Sequence, residues 1–229
     1  MNDKLKKILN KIELYAINDN IFLLSISDQK LRANVFMRYQ EFYESTSDKF
    51  RNKPFKIKDY KKWYINEGPT YENNNNKFTY HIDWVGFNIP SEVIIKCREN
   101  IPDYNIYDQI MDKIIQKIGI DKFYLIGAEN LQNLSILDHE LAHAFYYLYP
   151  EYKSEMNKYL DFVDNATIEQ IYKLGYSKET AIDELHAYSA TGSLKHISIN
   201  KDINYKPIKD LFLKSKNKYI KTIWKLNLN

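Results

Sequence analysis

One cysteine, Cys97, stands among 229 residues. It allows no intrachain disulfide and excludes a zinc site built on cysteines, so a reducing compartment fits. Glycine is scarce, at six residues. Neither a G-x-G-x-x-G nor a Walker pattern occurs, which argues against a glycine-rich phosphate loop. No apolar run approaches the ~18 residues of a membrane span. The stretch Met1 to Asn20 carries charges throughout and lacks the apolar centre of a signal peptide. The expected location is therefore cytoplasmic, with leaderless export left open. The formal charge of +3 is mild and commits the chain to no polyanionic partner.

Aromatic residues are abundant. Twenty tyrosines and eleven phenylalanines sit within a hydrophobic content of 44%, enough for a sizeable aromatic core. Lysines concentrate in residues 48–64 and 206–225. Such stretches can mark a nucleic-acid or anionic-membrane surface, but they read more simply as solvated helix faces. Arginine, the usual phosphate fork, is nearly absent from both.

Apolar spacing predicts helices over 3–17, from Asp28 to about Ser45, over 59–66, after Pro90-Ser91 through Cys97, and over 107–117 with Gly119 as the stop. Residues 68–77 read as a loop. Residues 77–88 (KFTYHIDWVGFN) and 122–126 (KFYLI) read as strands. From Gln132 onward the pattern is helical. The expected class is α+β: a mostly helical domain with a small β-sheet preceding its most informative helix. One domain is expected over 1–229, with a helical N-terminal part (1–66), a catalytic core (77–192) and a C-terminal helical part (193–229).

That helix carries His139-Glu140-Leu141-Ala142-His143. With only five histidines in the chain, H-E-x-x-H should arise by accident in fewer than about one such chain in a hundred. On a helix at 100° per residue, His139 and His143 project from one face and can share a metal. Glu140 lies beside them, placed to reach a metal-bound water. Leu137, Leu141, Ala144 and Leu148 form an apolar side that can be buried. Two histidines and a glutamate there are costly to bury without partners, and one Zn2+ ion per chain would supply them. The plain alternative is a half-buried helix with incidental histidines.

Catalytic zinc takes three protein ligands and keeps one open position. Candidates for the third lie in residues 179–188 (ETAIDELHAY), again helical, with Ser177 as a plausible N-cap. Glu184 is placed first, His186 second and Asp183 third. Glu184 and His186 are two residues apart and cannot both face one ion from one helix. Small Ala181, Ala187 and Ala190 would let this helix approach Ala142 and Ala144.

The combination of His139, His143 and Glu184 resembles the zincin metallopeptidases, specifically the gluzincins. Residues 184–187 (ELHA) resemble the group's E-x-x-A segment, whose glutamate is the third ligand. The region is also similar to catalytic domains of the anthrax lethal factor type, which carry a tyrosine shortly before that glutamate. Tyr176 stands one residue from that spacing. The likeness covers about residues 132–192. Where many gluzincins have an acid four residues after the ligand glutamate, this chain has Tyr188, so the groups that orient the histidines are open, with Asp138 and Asp183 as candidates. No histidine follows His143 at the metzincin spacing.

The resemblance implies zinc-assisted hydrolysis of a protein or peptide. Glu140 would be the general base, and an oxyanion donor would come from Tyr176, Tyr188 or His196. It also implies a substrate held in extended form along a sheet edge, with 78–87 and 122–126 as candidate edges. Trp84 and Phe87 can line a pocket or fill the core. Alternative readings are an inactive zincin scaffold used for binding, a basic nucleic-acid-associated protein, and a hydrolase acting on a non-protein amide. Substrate and oligomeric state are not encoded in any motif.

Overall fold

A computed structural model describes residues 3–70, 72–160, 163, 165–173, 176, 180–192 and 205–228. The fold is α+β, with eleven helices and one five-stranded sheet among the described residues. The sheet has the order β3-β4-β2-β1-β5. Its strands are β1 (Glu13–Ala16), β2 (Ile21–Ser25), β3 (Phe87–Pro90), β4 (Tyr124–Ala128) and β5 (Trp224–Leu226). β2 and β4 pair in parallel at the centre, and β3 runs antiparallel along β4 at one edge. β2 and β4 are buried along their whole length, which explains their unbroken apolar runs IFLLS and YLIGA.

Side chains alternate across β2. Phe22 and Leu24 join a core shared with α2 (Gln29–Glu44), α3 (Ile57–Glu67), α5 (Ser91–Arg98) and α6 (Ile106–Ile118). Ile21 and Leu23 face the opposite core, built with α7 (Leu134–Leu148), α8 (Pro150–Leu160), α10 (Ala181–Thr191) and α11 (Lys206–Tyr219). The shorter α1 (Asp3–Leu9), α4 (Tyr80–Asp83) and α9 (Asn165–Lys173) complete the helices.

Local signals set the helix ends. Asp28 caps α2 by accepting from the Leu31 amide at 2.9 Å. Asn105 and Asp108 form a capping box on α6, and Gly119 ends that helix in the left-handed region. Inside α2, Arg38 is buried against Asp108 at 2.9 Å and Asp103 at 2.8 Å. These pairs tie α2 to α6. Gly127 on β4 has no room for a side chain, because a Cβ would lie 2.4 Å from the Phe36 ring of α2.

Three expectations need correction. The helix expected over 3–17 stops at Leu9, and residues 13–25 form the β1–β2 hairpin. Leu14 and Ala16 fit either period, but Asn18 makes the turn: its side chain accepts from the amides of Asn20 and Ile21. The strand expected over 77–88 is mostly the α4 turn, with only Phe87 and Asn88 inside β3. Phe78 and Tyr80 pack into an aromatic cluster with Tyr64, and that packing overrides β-propensity. The C-terminal part is not wholly helical, since β5 pairs with β1. The sheet thus draws strands from both ends of the chain. No described helix is long and apolar enough to cross a membrane.

Candidate metal centre

α7 runs through the H-E-x-x-H segment and lies against β3, β4 and α10. Leu137, Leu141, Ala144 and Leu148 are buried, which fixes the face that His139 and His143 present. The two Nε2 atoms are 3.3 Å apart. Glu184, in the first turn of α10, closes the set. Its Oε2 is 3.6 Å from His139 Nε2, and its Oε1 is 3.6 Å from His143 Nε2. One atom from each residue lies within 4.8 Å of the others. α10 can come this close because buried Ala181, Ala187 and Ala190 and buried Ala142 and Ala144 of α7 keep both helices slim here.

These distances suit a tetrahedral ion. Two atoms each about 2.0–2.1 Å from zinc, in tetrahedral directions, lie roughly 3.3 Å apart. The donor chemistry fits as well. Glu184 is 4% exposed, and its Oε2 has no hydrogen-bond partner, an unfavourable state for a buried carboxylate unless a cation meets it. His139, His143 and Glu184 therefore fit a zinc ion.

Asp183 orients one of the candidate ligands. Its Oδ2 is 3.0 Å from His143 Nδ1, which places the proton on Nδ1 and turns the Nε2 lone pair toward the site. Its Oδ1 faces His186 Nδ1 at 3.3 Å, and the opposite ring nitrogen of His186 meets the Tyr152 hydroxyl at 2.7 Å. His186 is fully buried and stacks on Tyr146, so it points away from the ion position. Burial disfavours a charged His143, but with no cation between them Asp183 and Glu184 outweigh that and hold its imidazole well above the ordinary range, so an ion at Nε2 would displace a proton. Burial likewise works against the Asp183 charge, and His143 outweighs it and keeps that carboxyl low. Desolvation instead lowers His186 and keeps it neutral. Asp138, the other candidate orienting group, pairs with Lys216 of α11 at 2.6 Å.

Glu140 is buried beside the cluster. Asn88 of β3 donates to its Oε2 at 2.6 Å, and the Tyr124 hydroxyl in turn donates to Asn88 Oδ1. Burial raises the Glu140 carboxyl above its ordinary range, against the pull of His139 and His143. Gly86 makes the room: a Cβ there would lie 2.2 Å from Glu140 Oε1. Gly86 and Asn88 lie outside the H-E-x-x-H signal, and nothing near them in sequence marks them as part of the site.

A cleft of about 440 Å³ opens over His139, Glu140 and Glu184. One wall is residues 83–88 leading into β3, and another is the first half of α7. Gln40 and Glu44 reach in from the end of α2. Tyr176 and Tyr188 stand on the remaining side, with their hydroxyls 3.1 Å apart. Burial raises both phenols, well above the ordinary range for Tyr176. Both therefore remain protonated donors at neutral pH. The Tyr188 ring lies 4.7 Å from that of His139. His196 and Ser177 lie outside the described residues.

β3 is an edge strand, but only Phe87 of the candidate edge 78–87 lies in it, the rest being α4 and its flanks. The second candidate edge, 122–126, is not an edge: β4 is enclosed between β3 and β2. Phe87 is core, whereas Trp84 lines the cleft.

No family model, no curated protein and no solved structure matches this chain.

Proposed function

We propose that this chain is a zinc-dependent metallopeptidase of the gluzincin type. The observation that carries the proposal is the convergence of His139, His143 and Glu184 at zinc-ligand spacing, with buried Glu140 in the same cleft. When bound, zinc supplies a water acidified toward neutrality and a Lewis acid for the scissile carbonyl. A purely structural site needs neither an adjacent base nor an open cleft.

The remaining roles belong to the protein. Glu140 accepts the proton of the attacking water and returns it to the leaving amine. Its raised carboxyl is better matched to that exchange than an exposed glutamate would be. Asn88 holds one Glu140 oxygen, and Gly86 leaves space for the other. Tyr176 and Tyr188 present hydroxyls for the oxyanion that develops on the carbonyl. The segment 84–88 offers a backbone edge on which an extended peptide can lie.

The test is cleavage of a peptide library by the full chain. Wild-type protein should cleave, and Glu140→Gln should retain zinc while losing at least about 100-fold in rate. A Glu140→Gln variant with undiminished cleavage would remove the general-base assignment.

A further inference from the structure

A narrow side pocket branches from the metal cleft. The two share Gln40, Glu44, Trp84 and Tyr176. Inside the side pocket only about 40 Å³ is open to the centre of a water-sized sphere. That exceeds one water position but fits a slender chain better than an aromatic ring. Its walls are aromatic, from Tyr60, Trp63, Tyr64 and Trp84, and it also carries Glu41 and Glu44.

Two buried polar atoms of its lining, Gln40 Oε1 and Trp84 Nε1, have no hydrogen-bond partner. Gln40 donates its amide N–H to Glu44 Oε2 at 2.7 Å. That turns Gln40 Oε1 into a buried acceptor with no hydrogen-bond partner. Among the described residues, no lysine or arginine lines the pocket or the cleft. Burial pushes the Glu41 carboxyl up to about 7 and lifts Glu44 well above its ordinary range.

We propose that this side pocket receives a lysine side chain of a peptide laid in the cleft, beside the bond to be cut. The proposal rests on the metallopeptidase reading. An ammonium offers three donors and no acceptor, so it can supply the donor that Gln40 Oε1 lacks and add one to Glu44. The four-carbon stem lies along apolar walls, and the ring faces stabilise the cation further. A norleucine side chain would fill the same space but leave Gln40 Oε1 unmet.

The experiment uses two peptide hydroxamates that differ only in carrying lysine or norleucine beside the metal-binding group. Each is titrated by calorimetry into the zinc-loaded full chain. The lysine compound should bind at least about tenfold tighter. In Glu44→Gln, with zinc content unchanged, the gap should shrink to about twofold or less. Equal or tighter binding of the norleucine compound to the wild type overturns the proposal, as does binding of neither. The wild-type comparison stands without the variant. A chain that takes up no zinc is a separate outcome, which overturns the metallopeptidase reading and this substrate with it.

Discussion

Gly86→Ala should disable the centre without emptying it. The new Cβ would lie 2.2 Å from Glu140 Oε1, 2.9 Å from Ile136 Cγ2 and 3.2 Å from Glu140 Cδ. Ordinary contact begins near 3.4 Å, so the Glu140 carboxylate must move by about 1 Å, a misplacement that typically costs about 100-fold in rate. Moving it also strains the 2.6 Å hydrogen bond from Asn88. Loss of a bond to a charged group costs roughly 1.5–3 kcal/mol when complete. The backbone itself is not the obstacle, since Gly86 is not among the positive-φ glycines. The proposed ligands His139, His143 and Glu184 are untouched by the substitution. Single-turnover cleavage of a library-derived peptide, run beside elemental analysis, gives the needed pair of readings. The expected result is normal zinc content with a rate reduced by about two orders of magnitude. Full activity would refute the placement of Glu140, and lost zinc would refute the separation of its role from metal binding.

Asp183→Asn should weaken zinc binding by about 10–100-fold through loss of its grip on His143. His186→Ala should weaken it less than Glu184→Ala does, and competition with a chromogenic chelator checks both orders. Glu41 makes stability depend on pH. Its carboxyl, ordinarily 4.5, is pushed up to about 7 by burial, against the pull of the nearby Tyr80, Tyr60 and Ser45 hydroxyls. The folded chain therefore holds a proton that the unfolded chain has already released. The associated stability is present below about pH 4.5 and is lost as pH rises through about 7, by roughly 3 kcal/mol in all. Thermal melts at pH 5 and pH 8 should show this loss in the wild type and its reduction in Glu41→Gln. Equal pH slopes in the two proteins would contradict it.

The parts of the fold that could be read from sequence are those where one period or one cap dominates. α7 spans Leu134–Leu148, as its apolar spacing predicts, and α6 ends at Gly119. The β1–β2 hairpin escaped because Leu14 and Ala16 satisfy both a helical and an alternating pattern. β5 is three residues long and mostly exposed, so it carries no burial pattern to find. The region 77–88 looked like a strand because its aromatics suit a sheet, yet they are used in a cluster around Tyr64. The candidate ligands lie within two short segments, so helical geometry narrows the third to Glu184, His186 or Asp183. Gln40, Glu44, Gly86 and Asn88 join the site only through packing of α2 on β3 and of β3 on α7. Their roles follow from tertiary contacts and leave no local signature.

Elemental analysis of the purified full chain, dialysed against metal-free buffer, tests the central claim most directly. The account predicts zinc near one per chain in the wild type and a large loss in Glu184→Ala. A wild-type chain that holds no divalent ion, even after incubation with excess zinc, would contradict it.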